Sequence, residues 1–332
     1  MKKTISLIVL NFDGVKLLKE YFDSVFAQSL IPEQIIMLDN ASTDASVSFV
    51  KKNYPQVQIV VNTKNDGTAG GSNVGARHAT GDYIIFQSND LRLDRNCIRG
   101  LIATIQSDRS IGIVTSVLVK ERKSTQRMVD NAGGVVDKYG FGMQNYPNVP
   151  FETIPEIGSV FFSYGGSFII RKADFQKLHG YDERYFTLND DIDLSWRIRL
   201  LGKNIVYTKQ SFVYHKVSAT LGPLFDQPSK RYWSERNSMA TLIKNYSGAL
   251  LPLRLVQYVL LLTAEIGYFA VRGRFDLAFA DLKAIFWNIK QIFGTLSRRR
   301  YIQKIRTVSD STLPFVQKSI KLSLFTSFNN AL

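Results

Sequence analysis

The fold is decided by the stretch ISLIVLNFDGVKLLKEYFDSVFAQSLIPEQIIMLDN, residues 5–40. It opens with a continuous apolar run from Ile5 to Asn11, which is typical of a strand covered on both faces in a parallel sheet. Apolar residues then recur at helical spacing from Val15 to Phe26, and a second apolar run extends from Gln34 to Asn40. A strand, a helix and a second strand in this order predict the start of a parallel α/β sheet.

The same alternation continues along the chain and predicts a doubly wound sheet. Up to residue 90 the further predicted elements are a helix over Asp44 to Asn53, a strand over Val57 to Asn62, a helix over Gly71 to Thr80 and a strand over Asp82 to Asp90. Beyond residue 90, strands are predicted at Ile111 to Val119, Val160 to Ser163, Ser167 to Ile170 and Asn204 to Thr208. A helix is predicted over Lys172 to Leu178, and residues Lys120 to Pro155 are predicted to form a long excursion from the sheet.

Polar residues follow the predicted strands at their carboxyl ends, where such sheets bind ligands. They are Asn11, Asp39 with Asn40, the loop from Asn62 to Asn73, and Ser88-Asn89-Asp90. A carboxylate at Asp39 can accept from a base imide N–H or a ribose hydroxyl, and one at Asp90 can hold a divalent metal on a diphosphate. The pattern predicts a cleft for a metal-bound nucleoside diphosphate.

The glycine pattern excludes two other nucleotide-binding classes. A dinucleotide fold would place G-x-G-x-x-G directly after the first strand, but the turn there is NFDGV. The glycines instead follow the third strand, at Gly67, Gly70, Gly71 and Gly75. No G-x-x-x-x-G-K-[ST] occurs, so a P-loop NTPase is excluded, and a nicotinamide cofactor is disfavoured.

The segment FTLNDDIDLSWRIRLLG, Phe186 to Gly202, reads as a short helix with acids at its N-terminus. One Asp would be explained by helix capping. Asp190, Asp191 and Asp193 together exceed that need, and their repulsion suggests that a cation, a hydroxyl or a transferred proton offsets it. His215 follows an apolar strand and is either a core residue or a metal ligand or acid/base.

Composition separates the two ends of the chain. The 332 residues are 45% apolar and 21% charged, with a net charge of +14. Cys97 is the single cysteine, which fits a reducing compartment, and the N-terminus reads as a strand rather than a signal peptide. From Lys244 to Leu332 there are 13 Lys and Arg against 4 Asp and Glu, so we expect this end to meet an anionic surface.

Two apolar stretches precede Arg298-Arg299-Arg300 in this basic end. Leu250 to Val271 is borderline for a membrane span, and Asp276 to Phe293 carries apolar residues at helical spacing. Apolar faces beside Lys and Arg predict helices that lie in the interface of an anionic membrane. The alternative is packing on the catalytic domain or on a second copy, as a homo-oligomer. We expect no nucleic acid partner, because no nucleic-acid module is recognisable.

Seven motifs together resemble an inverting glycosyltransferase of family 2 with the GT-A fold. In order they are ISLIVLNFDG, IIMLDNASTD, NDGTAGGSNVGARHATGDYIIFQSND, GGSFIIRKADFQKLHGYDERYF, NDDIDLSWRIRLLG, VYHKVSAT and RYWSERNSMATLIKN. The resemblance implies a Rossmann-like, mostly parallel sheet with helices on both faces over residues 1–245. Residues 246–332 would be the basic amphipathic helical region. The closest likeness is to bacterial rhamnosyltransferase-like enzymes of surface polysaccharide, or O-antigen, synthesis.

Roles carried over from the family fall on residues that match its motifs. Asp191 would be the catalytic base. Donor binding would involve Asn11, Asp39, Asn65, Gly70, Gly71, Asn73, Ser88, Asn89 and Asp90. The acceptor would meet Gly166, Asp190 and Trp196, and a divalent metal, Mg²⁺ or Mn²⁺, would be held by Asp90 and His215.

The resemblance implies transfer of a sugar from a nucleotide diphosphate donor, with dTDP-rhamnose as the best match, to a lipid-linked or polysaccharide hydroxyl. The protein would be cytoplasmic and peripheral on the inner face of the cell membrane. UDP-linked galactofuranose, GlcNAc, galactose or glucose are alternative donors. Ser88 stands where the family's D-x-D motif has its first acid, so an inactive nucleotide-sugar binder also stays open. A nucleotidyltransferase is disfavoured because NFDGV lacks the Gly-rich, basic loop that this class requires.

Overall fold

The computed structural model describes residues 3–121, 126–216 and 226–317. The last four residues of the FVYHKVSAT stretch, part of the 120–155 excursion, and residues 318–332 of the C-terminal region lie outside these ranges. The strands are β1 Ile5–Asn11, β2 Gln34–Asp39, β3 Gln58–Val61, β4 Tyr83–Ser88, β5 Leu91–Leu93, β6 Ile111–Lys120, β7 Val129–Asn131, β8 Gly134–Val136, β9 Gly142–Gln144, β10 Ile157–Ser159, β11 Ser167–Arg171 and β12 Asn204–His215. The helices are α1 Val15–Phe26, α2 Ser46–Asn53, α3 Gly67–His78, α4 Cys97–Ser107, α5 Lys172–Lys177, α6 Asp190–Leu200, α7 Gln227–Asn245, α8 Leu251–Val271, α9 Phe275–Lys290 and α10 Ile292–Ile305.

The central sheet has the order β10-β12-β6-β11-β4-β1-β2-β3, with β5 on β12 and β7 on β6. β1 pairs in parallel with both β2 and β4, β2 with β3, and β6 with β12. β11 runs antiparallel between β4 and β6. The prediction of a mostly parallel α/β sheet is therefore confirmed.

The apolar strands are covered on both faces, as their sequence predicted. In β1, Leu7 and Val9 pack on the face that holds α1, α2 and α4, while Ile8 packs on the face that holds α3, α5 and α6. Side chains alternate across a strand, so a strand buried on both faces is apolar at every position. α3 lies especially close to the sheet, since a Cβ at Gly75 would stand 2.7 Å from Ile8 Cγ2.

Two predicted strand boundaries differ from the structure. Residues 160–163 are not a strand, because their backbone groups bond to different neighbours without a ladder pattern. The N–H of Val160 donates to the Ile205 carbonyl, whereas those of Phe161 and Phe162 both donate to the Gly134 carbonyl. The predicted strand over Asn204 to Thr208 continues to His215 as β12, with an irregularity in its pairing between Thr208 and Phe212. Helices α4, α7 and α10 were not predicted from the sequence.

The C-terminal helices pack on the acidic helix. A third cluster joins Trp196 of α6 with Tyr246, Tyr258 of α8 and Ile302 of α10, and Phe315 packs against it. Within the described residues, this cluster attaches α8–α10 to the catalytic part of the chain. Membrane association would therefore have to use their outer faces.

Candidate active site

The carboxyl ends of β1, β2 and β4 form one rim of the sheet. Asn11 stands opposite Asp39 in the β1–β2 register, and Leu10 stands opposite Ser88 in the β1–β4 register. Asn89 Nδ2 donates to Asn11 Oδ1 at 2.7 Å, and Asn11 Nδ2 donates to Asp39 Oδ1 at 2.9 Å. The structure thus brings these strand-end residues side by side.

Asp39 orders the loop that follows β2. Its carboxylate is 1% exposed. Ser42 Oγ donates to Asp39 Oδ1 at 2.6 Å, and the Ser42 N–H donates to Oδ2 at 2.9 Å. Both oxygens therefore have partners within the protein, and the contact of Asp39 with a nucleotide base stays a prediction.

The N-terminus of α3 forms the floor beside this rim. Asn40 Nδ2 donates to Asn65 Oδ1 at 2.8 Å, and the Gly67 N–H donates to the same oxygen at 2.9 Å. A Cβ at Gly71 would stand 2.6 Å from Leu10 Cδ1. Only a glycine at that position lets the helix approach β1 so closely, which places its backbone next to the strand ends.

Gly70 and Asn73 lie on the same helix in different surroundings. Gly70 is buried, and a Cβ there would stand 2.7 Å from Asp66 Cβ. Asn73 Nδ2 donates to the Tyr181 carbonyl at 3.0 Å, and its Oδ1 accepts from the Tyr181 N–H at 2.8 Å. Asn73 therefore ties α3 to the loop that leads into α6, and its donor contact stays a prediction.

The loop before α6 has a strained backbone. Phe186, Leu188 and Asn189 have φ values of 60°, 64° and 61°. A non-glycine residue in this region costs roughly 1–3 kcal/mol, and such strain concentrates at functional sites. Gly67 lets the loop approach α3, because a Cβ there would stand 2.2 Å from the Phe186 carbonyl oxygen.

Helix α7 holds this loop in place. Asn237 is buried, and its Nδ2 lies within hydrogen-bonding distance of three loop carbonyls, those of Tyr185 at 3.0 Å, Thr187 at 2.8 Å and Leu188 at 2.7 Å. Trp233 stacks on Phe186 with ring centroids 5.0 Å apart. α7 therefore offsets the strain and positions the acids that follow.

The three acids of α6 point into different surroundings. Asp193 is fully buried, and its carboxylate pairs with Arg197 Nη2 at 2.8 Å and Lys244 Nζ at 2.9 Å. Its charge is neutralised inside the protein, so it anchors the helix. Asp190 and Asp191 are both partly exposed and are the two that can meet a ligand.

Asp190 and Asp191 have environments that raise both pKa values. Asp190 Oδ2 accepts from Thr68 Oγ1 at 2.8 Å. A Cβ at Gly165 would stand 3.9 Å from Asp191 Oδ2. Burial raises the pKa of each carboxyl, and the charge of Asp190 raises that of Asp191 further. A carboxylate with a raised pKa is a better proton acceptor than an ordinary one.

The second half of the site lies at the end of β12. His215 Nε2 is 3.7 Å from Asp90 Oδ2, and His215 Nδ1 is 2.7 Å from Asp130 Oδ2. Burial of the imidazole lowers its pKa, but the hydrogen bond with Asp130 and the negative charges of Asp90 and Asp130 outweigh burial and raise the pKa to about 9. Without a metal, an imidazolium therefore lies between two carboxylates.

This arrangement fits a divalent cation. The Asp130 carboxylate holds Nδ1 as a donor and leaves Nε2 directed at Asp90, which is the carboxylate–histidine pairing found at metal sites. The carboxylate oxygen suits Mg²⁺ or Mn²⁺, and the imidazole nitrogen favours a transition metal such as Mn²⁺ over Mg²⁺. Across the described residues, no group of three His, Cys, Asp or Glu side chains forms a ready-made metal site. Asp90 and His215 would supply two ligands, and diphosphate oxygens and water the rest.

Tyr164 joins the two halves. Its ring lies edge-on to that of His215, with centroids 6.4 Å apart. Burial raises the pKa of its hydroxyl, and the charges of Asp191 and Asp90, in that order, raise it further. The charges of Asp191 and Asp90 therefore both act on Tyr164. The turn of residues 164–166 lies between Asp191 and the Asp90–His215 pair.

Gly166 lies in this turn, and its acceptor contact stays a prediction, while Trp196 does not reach the site. The Gly166 carbonyl accepts from the Ser88 N–H at 2.9 Å, so the turn is attached to the end of β4. Trp196 is 0% exposed, and its ring packs against Phe161 and Tyr246 at 5.6 and 5.0 Å. Its assignment as an acceptor contact is wrong. Five residues along a helix from Asp191 turn the side chain about 140° away, toward the core.

Sequence reasoning missed several residues that build the site. Asp130 lies in the long excursion, where no pattern marked it. Tyr164 directly precedes the quoted motif that begins at Gly165, and Thr68 lies inside a quoted motif; neither was given a role. Trp233 and Asn237 belong to RYWSERNSMATLIKN, and recognising that stretch as an amphipathic helix would have placed both on one face, four residues apart.

The model of the family described as Glycosyl transferase family 2 matches residues 6–179, just over half of the chain. The chain is 25% identical over 233 residues to the O-antigen biosynthesis protein RfbC of Myxococcus xanthus, covering 65% of this chain and 17% of that protein. It is 20% identical over 245 residues to an N-acetylglucosaminyl-diphospho-decaprenol L-rhamnosyltransferase of Mycobacterium tuberculosis, covering 67% of this chain and 79% of the relative.

A solved structure supports the fold. The crystal structure of GalNAc-T7 with UDP, GalNAc and Mn²⁺ superposes with a TM-score of 0.60 and 16% identity, covering 96% of this chain and 59% of that one. The likeness confirms the GT-A-type architecture that the sequence predicted. The chain spans less than a fifth of the Myxococcus relative and about three fifths of the GalNAc-T7 chain.

Proposed function

This chain belongs to glycosyl transferase family 2, and on that premise we propose that it moves a sugar, with inversion, from a nucleotide diphosphate donor to an acceptor hydroxyl. The observation that carries this proposal is the turn of residues 164–166. It lies between a carboxylate with a raised pKa, Asp191, and a pair suited to a metal, Asp90 and His215. Inverting transfer needs a base on one side of the anomeric carbon and charge stabilisation on the other.

Asp191 acts as the general base. Burial and the neighbouring charge of Asp190 raise its pKa, so its ionised form accepts a proton from an acceptor hydroxyl more readily than an ordinary aspartate does. Asp190, held by Thr68, orients the acceptor and maintains that electrostatic effect. One carboxylate base suffices, because the departing diphosphate needs no protonation.

Asp90 and His215 would hold a divalent cation, and Asp130 orients His215. When bound, the metal stabilises the negative charge of the departing diphosphate as a Lewis acid. Asn11, Asp39 and the floor formed by α3 receive the nucleoside.

The relatives' names support a donor and an acceptor class. The Mycobacterium relative is named for transfer of L-rhamnose to a diphospho-decaprenol carrier, and the Myxococcus relative for O-antigen biosynthesis. We therefore propose dTDP-rhamnose as donor and a lipid-linked glycan as acceptor, in bacterial surface polysaccharide synthesis. The protein would act on the inner face of the cell membrane, with residues 1–245 as the catalytic domain and 246–332 attached to the membrane.

The test is transfer with a panel of dTDP- and UDP-linked sugars in the presence of Mn²⁺. Asp191→Asn should abolish transfer while thermal-shift titration shows donor binding nearly unchanged. Asp90→Ala should instead weaken Mn²⁺-dependent donor binding. Asp23→Asn, an exposed acid on α1, is the matched control and should leave both readouts at the level of the unmodified protein. An active Asp191→Asn variant would remove Asp191 from the base role.

A second candidate is a nucleotide-sugar binder without transfer activity. Ser88 favours it, because this position lacks the acid that would contribute a second charge beside Asp90. Such a protein would bind a nucleotide with Mn²⁺ and would neither transfer nor hydrolyse any donor in the panel. Detectable transfer or donor hydrolysis that is lost in Asp191→Asn would exclude it.

A further inference from the structure

The exposed face of α9 is apolar, whereas its buried face is mostly small or polar, which is the reverse of the usual arrangement in a soluble protein. Its exposed residues include three phenylalanines, and the face continues to Phe293 at the start of α10. The face consists of Phe275, Phe279, Leu282, Phe286, Ile289 and Phe293, between 50% and 84% exposed. Its buried residues are mostly small or polar: Leu277, Ala278, Ala280, Asp281, Ala284 and Asn288. A helix of a soluble protein normally buries its large apolar side chains.

Helix α8 also exposes apolar residues. Leu253, Val256 and Leu260 recur at helical spacing and are 51%, 57% and 64% exposed. α8 packs against α9, so these residues lie on the helix next to the α9 face. Soluble monomers rarely expose apolar patches of this extent, and such patches mark interaction sites.

Charges around the surface are almost all positive. Residues 250–300 contain eight Lys and Arg and three Asp and Glu. Two of the acids, Glu265 and Asp281, are buried in ion pairs with Arg231, and the third, Asp276, pairs with Arg274. Lys283 and Lys290 lie on the outer side of α9, and Lys283 Nζ stands 4.6 Å from the Phe279 ring centroid.

We propose that this surface docks on an anionic lipid bilayer, with the phenylalanines of α9 inserted at the boundary between headgroups and acyl chains. Lysines beside the apolar face can extend to the lipid phosphates while their stems stay among the acyl chains. A two-fold contact with a second copy fits less well, because it would place the same basic residues opposite one another. The inference rests on the proposed function in one respect: docking would bring the active site to a lipid-linked acceptor.

The helices lie in the interface rather than cross the bilayer. Among the described residues, α8 is the one helix long and apolar enough to span a membrane. Its Glu265, however, pairs with Arg231 of α7 at 2.7 Å, and Arg231 also pairs with Asp281 of α9. Crossing would carry this ion cluster into hydrocarbon at a large cost.

The docked orientation also suits the active site. α7 connects the two, since Arg274 Nη2, next to Phe275, donates to Gln227 Oε1 at the start of α7. Further along α7, Trp233 stacks on Phe186 of the acidic loop. A lipid-linked acceptor held at the membrane would thus approach the side of the site that carries Asp190.

The experiment is co-sedimentation of the full chain with vesicles of phosphatidylglycerol and phosphatidylcholine in equal parts, and with phosphatidylcholine alone. We expect binding to the anionic vesicles. Phe279→Ser/Phe286→Ser should lower the partition coefficient by about tenfold or more, because each phenylalanine loses its apolar burial. Lys283→Glu/Lys290→Glu should lower binding to the anionic vesicles by roughly tenfold or more and leave binding to phosphatidylcholine unchanged.

The matched control is Ile31→Ser/Met143→Ser, which removes two equally exposed apolar residues from the catalytic part of the chain and should bind as the unmodified protein does. Circular dichroism and donor hydrolysis are measured for every variant.

Vesicle binding that the phenylalanine variant retains would overturn the inference. So would a dimer in light scattering that this variant dissociates, with no vesicle binding by the unmodified protein. If docking fails while donor hydrolysis persists, the proposed sugar transfer stands and the membrane attachment fails. If docking holds without turnover of any donor, the proposed sugar transfer fails instead.

Discussion

Replacing Lys244 should destabilise the protein less than replacing Asp193, although both side chains are completely buried in one ion cluster. Lys244 Nζ lies 2.8 Å from Asp182 Oδ2 and 2.9 Å from Asp193 Oδ1. Each carboxylate also has an arginine of its own, Arg184 on Asp182 at 2.7 Å and Arg197 on Asp193 at 2.8 Å. Arg298 Nε also lies 3.3 Å from Asp182 Oδ1, so the cluster contains four cations and two anions.

The magnitudes follow from this imbalance. Lys244→Met lowers the surplus of positive charge, leaves each carboxylate with an arginine partner and adds apolar contacts, so we expect a loss of about 1–2 kcal/mol in the free energy of unfolding. Asp193→Asn leaves Lys244 and Arg197 with one carboxylate fewer and increases the surplus. Uncompensated buried charge costs about 3–5 kcal/mol when a partner is removed.

The assay is urea unfolding followed by circular dichroism at neutral pH. Lys283→Met, an exposed lysine on α9, is the control and should change the free energy of unfolding by about 0.5 kcal/mol or less. The reasoning would be refuted if Lys244→Met cost as much as Asp193→Asn. That result would mean that Lys244, rather than the two arginines, holds the carboxylates and anchors α6.

Three further predictions concern the site. The kcat for transfer should rise with pH through a midpoint above the ordinary aspartate range of about pH 4, because the pKa of Asp191 is raised. Asp190→Asn removes a charge that raises this pKa, so it should move the midpoint to lower pH. A midpoint that moves to higher pH would contradict the assignment. Asp130→Asn should weaken Mn²⁺ binding by about 10–100-fold, because His215 loses the carboxylate that orients it. Calorimetric titration of Mn²⁺ in the presence of UDP measures this affinity. An unchanged affinity would argue against the role of Asp130 in orienting His215. Trp196→Phe should lower the free energy of unfolding by about 1–3 kcal/mol with the KM for acceptor unchanged, whereas a raised KM would restore the acceptor contact.

The order of elements in the first 90 residues could be predicted because the apolar runs of the strands and the helical spacing between them indicate the same alternation. Strands buried on both faces are apolar at every position, and helices α1 and α2 show helical spacing between them. The irregular run of residues 160–163 could not be predicted, because its apolar residues look like a strand while its hydrogen bonds go to two different neighbours. Helix α10 was missed because its sequence, with Gly294 and three consecutive arginines, has little amphipathic pattern.

The candidate site shows the same division. Asp90, Asp190, Asp191 and His215 could be singled out because charged or polar residues directly follow or precede apolar elements. Trp196 was misassigned because proximity in sequence to Asp191 says nothing about direction around a helix. Asp130 was invisible, since it meets His215 across 85 residues of chain.

The sequence by itself determined the sheet, the rim of polar strand ends and the membership of a family, because periodicity and short motifs are properties of neighbouring residues. Only the tertiary structure decided which acid of α6 is buried, which carboxylate orients His215, and that α9 turns its phenylalanines outward. Those outcomes depend on contacts between residues far apart in the chain. A side chain's burial and pKa are set by the elements packed around it, whatever its sequence neighbours are.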